Sequence, residues 1–138
     1  MGRIIAIDVG LKRTGLAVTD PQQIIATPLT ALATEEVIPF LKKYVVRESV
    51  ECFVVGEPRG LDDQPTHATA IVGAFVRQLQ NHFPHIPVAS VDERFTSKMA
   101  MQTLIQANYK KKDRRVKQNI DKVSAVLILQ AYLEQKQS

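Results

Sequence analysis

The stretch from Ile4 to Asp20 constrains the fold of this chain more than any other. It begins with an almost unbroken apolar run, Ile4 to Ile7, which is typical of a strand buried on both faces. Gly10 and Gly15 bracket a tight connection to a second apolar run. This pattern predicts a β-hairpin whose strands lie inside a layered fold.

An acidic residue stands at the end of the first predicted strand. Asp8 follows the apolar run, where the chain should leave the core, and an unpaired buried carboxylate costs several kcal/mol. It must therefore meet water, a cation or a hydrogen-bond donor. Lys12 and Arg13, at the predicted hairpin tip, are strong donors for anionic oxygen. From these residues alone, a hairpin with a solvated acid and a basic turn is an equally good interpretation.

The composition predicts one globular domain over residues 1–138. The chain is long enough for a real core, and its hydrophobic fraction of 45% matches that of globular proteins. No apolar run approaches the roughly 18 residues of a membrane span, and the start of the chain lacks the layout of a signal peptide. Cys52 is the only cysteine, so no internal disulfide can form. These features predict a cytoplasmic protein without a membrane partner.

After the hairpin, strand and helix patterns alternate. Pro28 marks a third strand, Ile24 to Leu32, as an edge strand, because proline cannot donate to a central ladder. The pattern then predicts, in order, a helix from Glu35 to Arg47 with Thr34 as its N-cap, a strand from Cys52 to Gly56, a helix from Thr66 to His82, a strand from Val88 to Asp92, and a helix from Thr96 to Asn108. This order predicts an α/β fold with a mixed five-stranded sheet, antiparallel over its first three strands, and flanking helices.

A basic segment interrupts this pattern near the C-terminus. Lys110 to Lys117 has six basic residues in eight positions, which predicts a mobile loop. The following stretch, Asp121 to Leu133, is apolar nearly all round, and it predicts a largely buried helix that opens at Asp121. The basic segment is either a solvated loop or an arm that clamps a phosphate backbone through Lys111, Arg114 and Arg115.

Several acids follow the predicted strands. Asp8 ends the first strand, Glu57 follows the fourth and Glu93 stands at the end of the fifth, and parallel strands share one carboxyl edge. Asp121 could face the same edge. Converging carboxylates repel one another unless a divalent cation holds them, and Mg²⁺ and Mn²⁺ prefer oxygen ligands. Singly, each acid has a simpler explanation: a helix-dipole acid at Asp121, a surface pair of Glu93 with Arg94, and a solvated loop at Glu57.

Four blocks of the sequence resemble the YqgF/RuvX family. They are Asp8-x-Gly10-x-Lys12-Arg13-x-Gly15, Val54-Val-Gly56-x-Pro58, Asp92-Glu93-Arg94-x-Thr96 and Asp121-x-x-Ser124-Ala125-x-x-Ile128-Leu129. The resemblance runs over nearly the whole chain. It implies a ribonuclease H-like (RNase H-like) fold and an endonuclease that uses Mg²⁺ or Mn²⁺ on structured nucleic acid. The substrates it implies are the 16S rRNA precursor, Holliday junction-like DNA, or both.

The resemblance also implies roles for individual residues. The family's acidic trio, catalytic and metal-binding, carries over to Asp8, Glu93 and Asp121. Gly10 would permit close backbone approach, and phosphate would be contacted by Lys12, Arg13 and Arg94. Whether Glu57 is a further ligand stays open, with a role as an ordinary loop residue favoured.

Two alternatives remain at this point. A non-catalytic nucleic-acid-binding or ribosome-assembly factor could keep the same fold and basic surface. The chain could be a monomer or a homodimer, and a resolvase that cuts two strands is expected to dimerise. Other chemistries are disfavoured, because Cys52 lies in a predicted strand and the three histidines lack the spacing of a zinc site.

Overall fold

One five-stranded mixed sheet organises the structure, a computed structural model. The model describes the backbone of residues 2–58, 67–93 and 114–137, and the side chains of residues 2–58, 68–93 and 122–136. The strands are β1 (Arg3–Asp8), β2 (Arg13–Thr19), β3 (Ala26–Ala33), β4 (Val50–Glu57) and β5 (Val88–Asp92), in the spatial order β3-β2-β1-β4-β5. The predicted mixed sheet is confirmed.

The sheet is antiparallel on one side of β1 and parallel on the other. β1 pairs antiparallel with β2, and Asp8 lies opposite Gly15. β2 pairs antiparallel with β3, which carries Pro28 at the edge of the sheet as predicted. β4 runs parallel to β1, with Val55 opposite Ile7, and β5 runs parallel to β4. The carboxyl ends of β1, β4 and β5 therefore share one edge.

Helices cover both faces of the sheet. One face carries α1 (Val37–Arg47), which follows a short 3₁₀ turn at Thr34–Glu36, and α2 (His67–His82). The other face carries α3 (Arg114–Gln137). Among the described residues, none of these helices is long and apolar enough to cross a bilayer.

Strand alternation divides the core into two clusters. Ile5 and Ile7 pack with α1 and α2, while Ile4 and Ala6 pack with α3. All four side chains are completely buried, so β1 is the apolar strand that the sequence predicts. Burying one isoleucine is worth about 1.5–3 kcal/mol, which explains why this strand lies at the centre of the sheet.

Two local predictions around β3 are wrong. Thr34 is not the N-cap of α1, because that position belongs to Glu36, which makes no side-chain capping hydrogen bond. Ile24 and Ile25 do not begin β3. Their N–H groups donate to the Asp20 carboxylate at 2.8 and 2.7 Å, and this local turn competes with the strand ladder.

The final helix begins earlier than predicted. α3 starts at Arg114, so Arg114 to Lys117 are helical and the predicted loop is wrong for these residues. Among the described side chains of α3, one face is buried (Ser124, Ala125, Ile128, Leu129 and Leu133), and most of the others up to Leu133 are half-buried, as expected of the predicted largely buried helix. The predicted helix from Thr96 to Asn108 and the start of the basic segment, residues 110–113, lie outside the described residues.

Candidate active site

Asp8 is placed at the carboxyl edge by the alternation of β1. It is the last residue of the strand, and its position follows Ile4 and Ala6 on the face that α3 covers. Only 8% of its surface is exposed. Gly15 lies directly opposite Asp8 in the ladder, so the β2 position straight across from this carboxylate carries no side chain.

Glu93 reaches the same face from the other side of β4. A Cβ atom built on Gly56 would lie 2.7 Å from Glu93 Oε1 and 2.6 Å from Ile128 Cδ1 of α3. Since Val55 pairs with Ile7, the next positions on the two strands are Gly56 and Asp8. Gly56 therefore provides a gap into which the Glu93 carboxylate fits, beside the strand end that carries Asp8.

Asp121 lies within α3 rather than at its start, which corrects the predicted position. It is seven residues after Arg114, or about two helical turns, so the helix dipole does not explain an acid there. It precedes Ser124 by three residues and Ala125 by four, and both are buried. Helical periodicity puts the Asp121 position on this sheet-facing side; its side chain is outside the described set.

Glu57 falls on the opposite face of the sheet from Asp8. It alternates with Phe53 and Val55, which pack in the cluster formed with α1 and α2, and it pairs with Asp92 in the β4–β5 ladder. The strand alternation thus separates Glu57 from the face on which Asp8 and Glu93 stand.

The donor set on the α3 face suits a hard divalent cation. Carboxylate oxygens are the ligands that Mg²⁺ and Mn²⁺ prefer, and the gap at Gly56 admits the Glu93 carboxylate where any other residue would fill it. Among the side chains that the structure describes, no three acidic, histidine or cysteine groups form a complete metal cluster. Asp121, whose position lies on the sheet-facing side of α3, is a further acidic residue that the backbone brings to this face.

The β1–β2 loop is held tightly at Gly10. A Cβ atom there would clash with the Arg13 carbonyl oxygen, so the close backbone approach that this glycine permits is within the loop itself. The Gly10 carbonyl accepts a hydrogen bond from Thr34 Oγ1 at 2.7 Å. Neither Thr34 nor its partner Thr14 was predicted as a site residue, because Thr34 has the sequence pattern of a helix cap.

The predicted phosphate-contacting residues are distributed over both sides of this edge. Arg13 begins β2, and its position alternates with Gly15 and Ala17 on the same face as Asp8. Lys12 is exposed and lines a cleft of about 770 Å³ between the loop and α2, on the other face. Arg114 and Arg115 open α3, while Arg94 and Lys111 are outside the described residues.

Cys52 is buried in β4, as predicted. Burial raises the pKa of its thiol, and this outweighs the opposing effect of a hydrogen bond with the Tyr132 side chain. A thiol with a raised pKa is a poor nucleophile at neutral pH, so Cys52 belongs to the core packing rather than to the chemistry.

Solved structures show which fold class this arrangement belongs to. RuvC from T. thermophilus in complex with a Holliday junction substrate superposes with a TM-score of 0.61, at 14% identity, over 99% of this chain and 96% of that one. The Thermus thermophilus RuvC structure gives a TM-score of 0.59 at 13% identity, over 98% and 96%. At such low identity the likeness defines the fold alone, and this fold is RNase H-like.

The sequence comparisons are more specific. The family model described as "RuvX: Holliday junction resolvase" matches residues 2–135, and the chain belongs to this family. Three bacterial relatives carry the name "Putative pre-16S rRNA nuclease": those of Amoebophilus asiaticus (51% identity, covering 96% of this chain and 94% of the relative), Porphyromonas gingivalis (50%, 97% and 97%) and Flavobacterium psychrophilum (48%, 99% and 99%). The protein is therefore a nuclease, a hydrolase of phosphodiester bonds in nucleic acid.

Proposed function

We propose that this chain is a divalent-metal-dependent endonuclease that processes the 16S rRNA precursor at its 5′ end, with residues 1–138 acting as one domain. The names of relatives about half identical to it over nearly their whole length support this substrate. The precursor is transcribed in the bacterial cytoplasm, so the enzyme acts there.

The observation that carries the proposal is the placement of Asp8 and Glu93 on one face of the sheet. Gly56 stands between them, and α3 covers them with the Asp121 position on its sheet-facing side. We propose that Asp8, Glu93 and Asp121 hold Mg²⁺ or Mn²⁺ and are the catalytic residues. Such an ion, when bound, supplies charge for activating water and for stabilising the leaving oxygen.

The carboxylates and the cations around them have different tasks. Asp8 is nearly excluded from solvent, so little water would separate a cation at this strand end from its carboxylate. Arg13, on the same face, would contact a phosphate near the cleaved bond, and Lys12 one further along the strand. Arg94 and Lys111 are also proposed phosphate contacts.

Arg114 and Arg115 are proposed to bind the substrate backbone at the start of α3. They lie in the first turn of a helix that has no acidic residue there. Cations are unfavourable at this positive end of the helix dipole, and a bound phosphate would neutralise both charges. The helix start therefore favours an anionic ligand.

Branched DNA is the second candidate substrate, since the family description and the RuvC-like fold both favour it. Precursor rRNA is the preferred substrate, since a monomer can cut it, whereas a junction needs two active sites and hence a homodimer.

One preparation should be given precursor 16S rRNA and a four-way DNA junction, each with Mg²⁺, with Mn²⁺ and with a chelator. We expect metal-dependent cleavage of the rRNA at least about tenfold faster than that of the junction, a difference of about 1.4 kcal/mol in barrier. Light scattering on the same sample gives the oligomeric state. Faster cleavage of the junction by a dimer would make branched DNA the substrate in place of precursor rRNA. Cleavage in the presence of chelator would refute the metal requirement.

A further inference from the structure

Two threonine hydroxyls and the backbone of Gly10 form a closed ring of hydrogen bonds. The Gly10 N–H donates to Thr14 Oγ1 at 3.5 Å, the hydroxyls of Thr14 and Thr34 lie 2.8 Å apart, and Thr34 Oγ1 donates to the Gly10 carbonyl at 2.7 Å. A carbonyl can only accept, so Thr34 gives its proton to Gly10, and Thr14 gives its proton to Thr34. We call this arrangement the threonine ring.

The ring supplies the hydrogen bonds of a buried hydroxyl, that of Thr14. Thr14 is completely buried, and its strand position alternates with Leu16 and Val18 in the apolar cluster under α1 and α2. Valine has nearly the same shape and would avoid burying a hydroxyl, which is unfavourable unless the hydroxyl is hydrogen-bonded. The Thr14 hydroxyl is hydrogen-bonded within the ring, to Gly10 and to Thr34.

The ring fixes the loop that follows Asp8. It holds the peptide groups on both sides of Gly10, and the backbone N–H of Thr34 donates to the Lys12 carbonyl at 3.0 Å. The ring approaches from the α1 and α2 side, whereas Asp8 stands on the α3 side of the same backbone. The loop is therefore clamped from behind, only two residues beyond the carboxylate.

We propose that Thr14 and Thr34 are positioning residues that fix the direction of the Asp8 carboxylate for metal binding. This inference rests on the proposed metal site. Mg²⁺ demands near-ideal octahedral geometry, and a ligand must be held within about 0.5 Å of its productive position. A carboxylate at the last residue of a strand meets that demand only if the chain beyond it is also fixed.

Three substitutions separate positioning from general stability. Thr34→Val keeps the shape but removes both ring contacts of this residue, and Thr34→Ser keeps the hydroxyl. Thr14→Val also opens the ring, and valine fits the buried position of Thr14. We expect this variant to fold even if Thr34→Val does not. Thr27→Val is the matched control, because Thr27 is exposed and lies on β3, the strand that ends just before Thr34.

The decisive readout is Mn²⁺ and Mg²⁺ binding to the substrate-free protein, measured by calorimetry, beside kcat, KM and the melting temperature. We expect Thr34→Val to weaken metal binding on the order of tenfold, which is the effect of losing one or two hydrogen bonds. It should lower kcat by a similar factor at subsaturating metal and leave KM within about twofold. Thr14→Val should change the same quantities by about threefold, because the Thr34 contact to Gly10 remains.

Native metal affinity in both valine variants, even with a lower melting temperature, would make the ring purely structural and overturn the inference. Wild-type behaviour of Thr34→Ser supports it, and a Thr34→Ser variant as impaired as Thr34→Val contradicts it. Asp8→Asn separates this failure from that of the proposed function. If Asp8→Asn binds metal normally, the metal site itself is wrong; if it loses metal while the valine variants do not, only the ring inference fails.

Discussion

The gap at Gly56 predicts that a single methyl group will disturb both packing and the active site. In Gly56→Ala, the new Cβ would lie 2.6 Å from Ile128 Cδ1 and 2.7 Å from Glu93 Oε1, whereas ordinary contacts begin at 3.4 Å. Ile128 is completely buried, so it cannot move without disturbing the core. Overpacking costs about 1–3 kcal/mol, and alanine recovers about 0.5–1 kcal/mol by restricting the unfolded chain.

The net expectation is a loss of about 1–2 kcal/mol in unfolding free energy, or roughly 3–8 °C in melting temperature. Cleavage should fall by about tenfold to a hundredfold, because the Glu93 carboxylate is displaced by about 1 Å. Urea denaturation and initial cleavage rates measure the two effects. Gly73→Ala is the matched control: among the described residues its Cβ would meet only Arg77 Nη1, at 3.9 Å, within a helix, so it should stabilise the protein and keep activity.

A second substitution separates packing from catalysis. Ile128→Val removes the Cδ1 atom, so Gly56→Ala should cost less stability in that background than in the wild type. Cleavage should remain low in the double variant, because the contact with Glu93 is unchanged. A Gly56→Ala protein with native stability and native cleavage would refute the placement of Glu93 and Ile128 at this gap.

Three further predictions follow from the placement of charge. Glu57→Gln should keep the cleavage rate within about twofold, while Glu93→Gln should lose as much activity as Asp8→Asn. Initial rates in the reverse order would make Glu57, and not Glu93, the ligand. Replacing Lys111, Arg114 and Arg115 together with Gln should weaken binding to RNA and DNA alike, with little change in melting temperature. It should flatten the slope of log affinity against log salt by roughly 0.7–0.9 per lost phosphate contact, and an unchanged slope would remove them from the interface. Hydrogen bonds from backbone N–H groups, above all that of Ile25, hold the pKa of Asp20 below its ordinary 3.8. The Asp20 carboxylate therefore stabilises the fold above that pH, and this contribution is lost as the pH falls through the lowered pKa of the folded state. The stability gap between wild type and Asp20→Asn in urea should therefore shrink in acid, and a constant gap would contradict this.

The sheet was predictable because burial leaves a simple signal in sequence. Ile4 to Ile7 are apolar without alternation because both faces of β1 are covered, and Pro28 is tolerated because β3 lies at the edge. The acidic edge followed from the parallel pairing of strands. The predictions that Asp8 and Glu93 stand near one another at that edge rested on topology and not on any local pattern.

The remaining features depend on contacts between residues distant in sequence. Thr34 has the pattern of a helix cap, but its hydroxyl binds the carbonyl of Gly10, 24 residues away. Arg114 to Lys117 appear too charged for a regular element, yet extending a helix already held by buried residues costs little. The gap at Gly56 is formed by the register of β4 against β5 and by the position of α3. No local sequence pattern predicts either of these.

The most direct test of the proposed metal site is the cleavage rate of Asp8→Asn with saturating Mg²⁺. The amide keeps the shape of the side chain and removes the charge that would hold the cation, so circular dichroism and the melting temperature should remain native. We expect cleavage to fall at least about a thousandfold, a loss of about 4 kcal/mol of transition-state stabilisation. Asp8→Asn protein that cuts precursor rRNA at the wild-type rate would contradict the account.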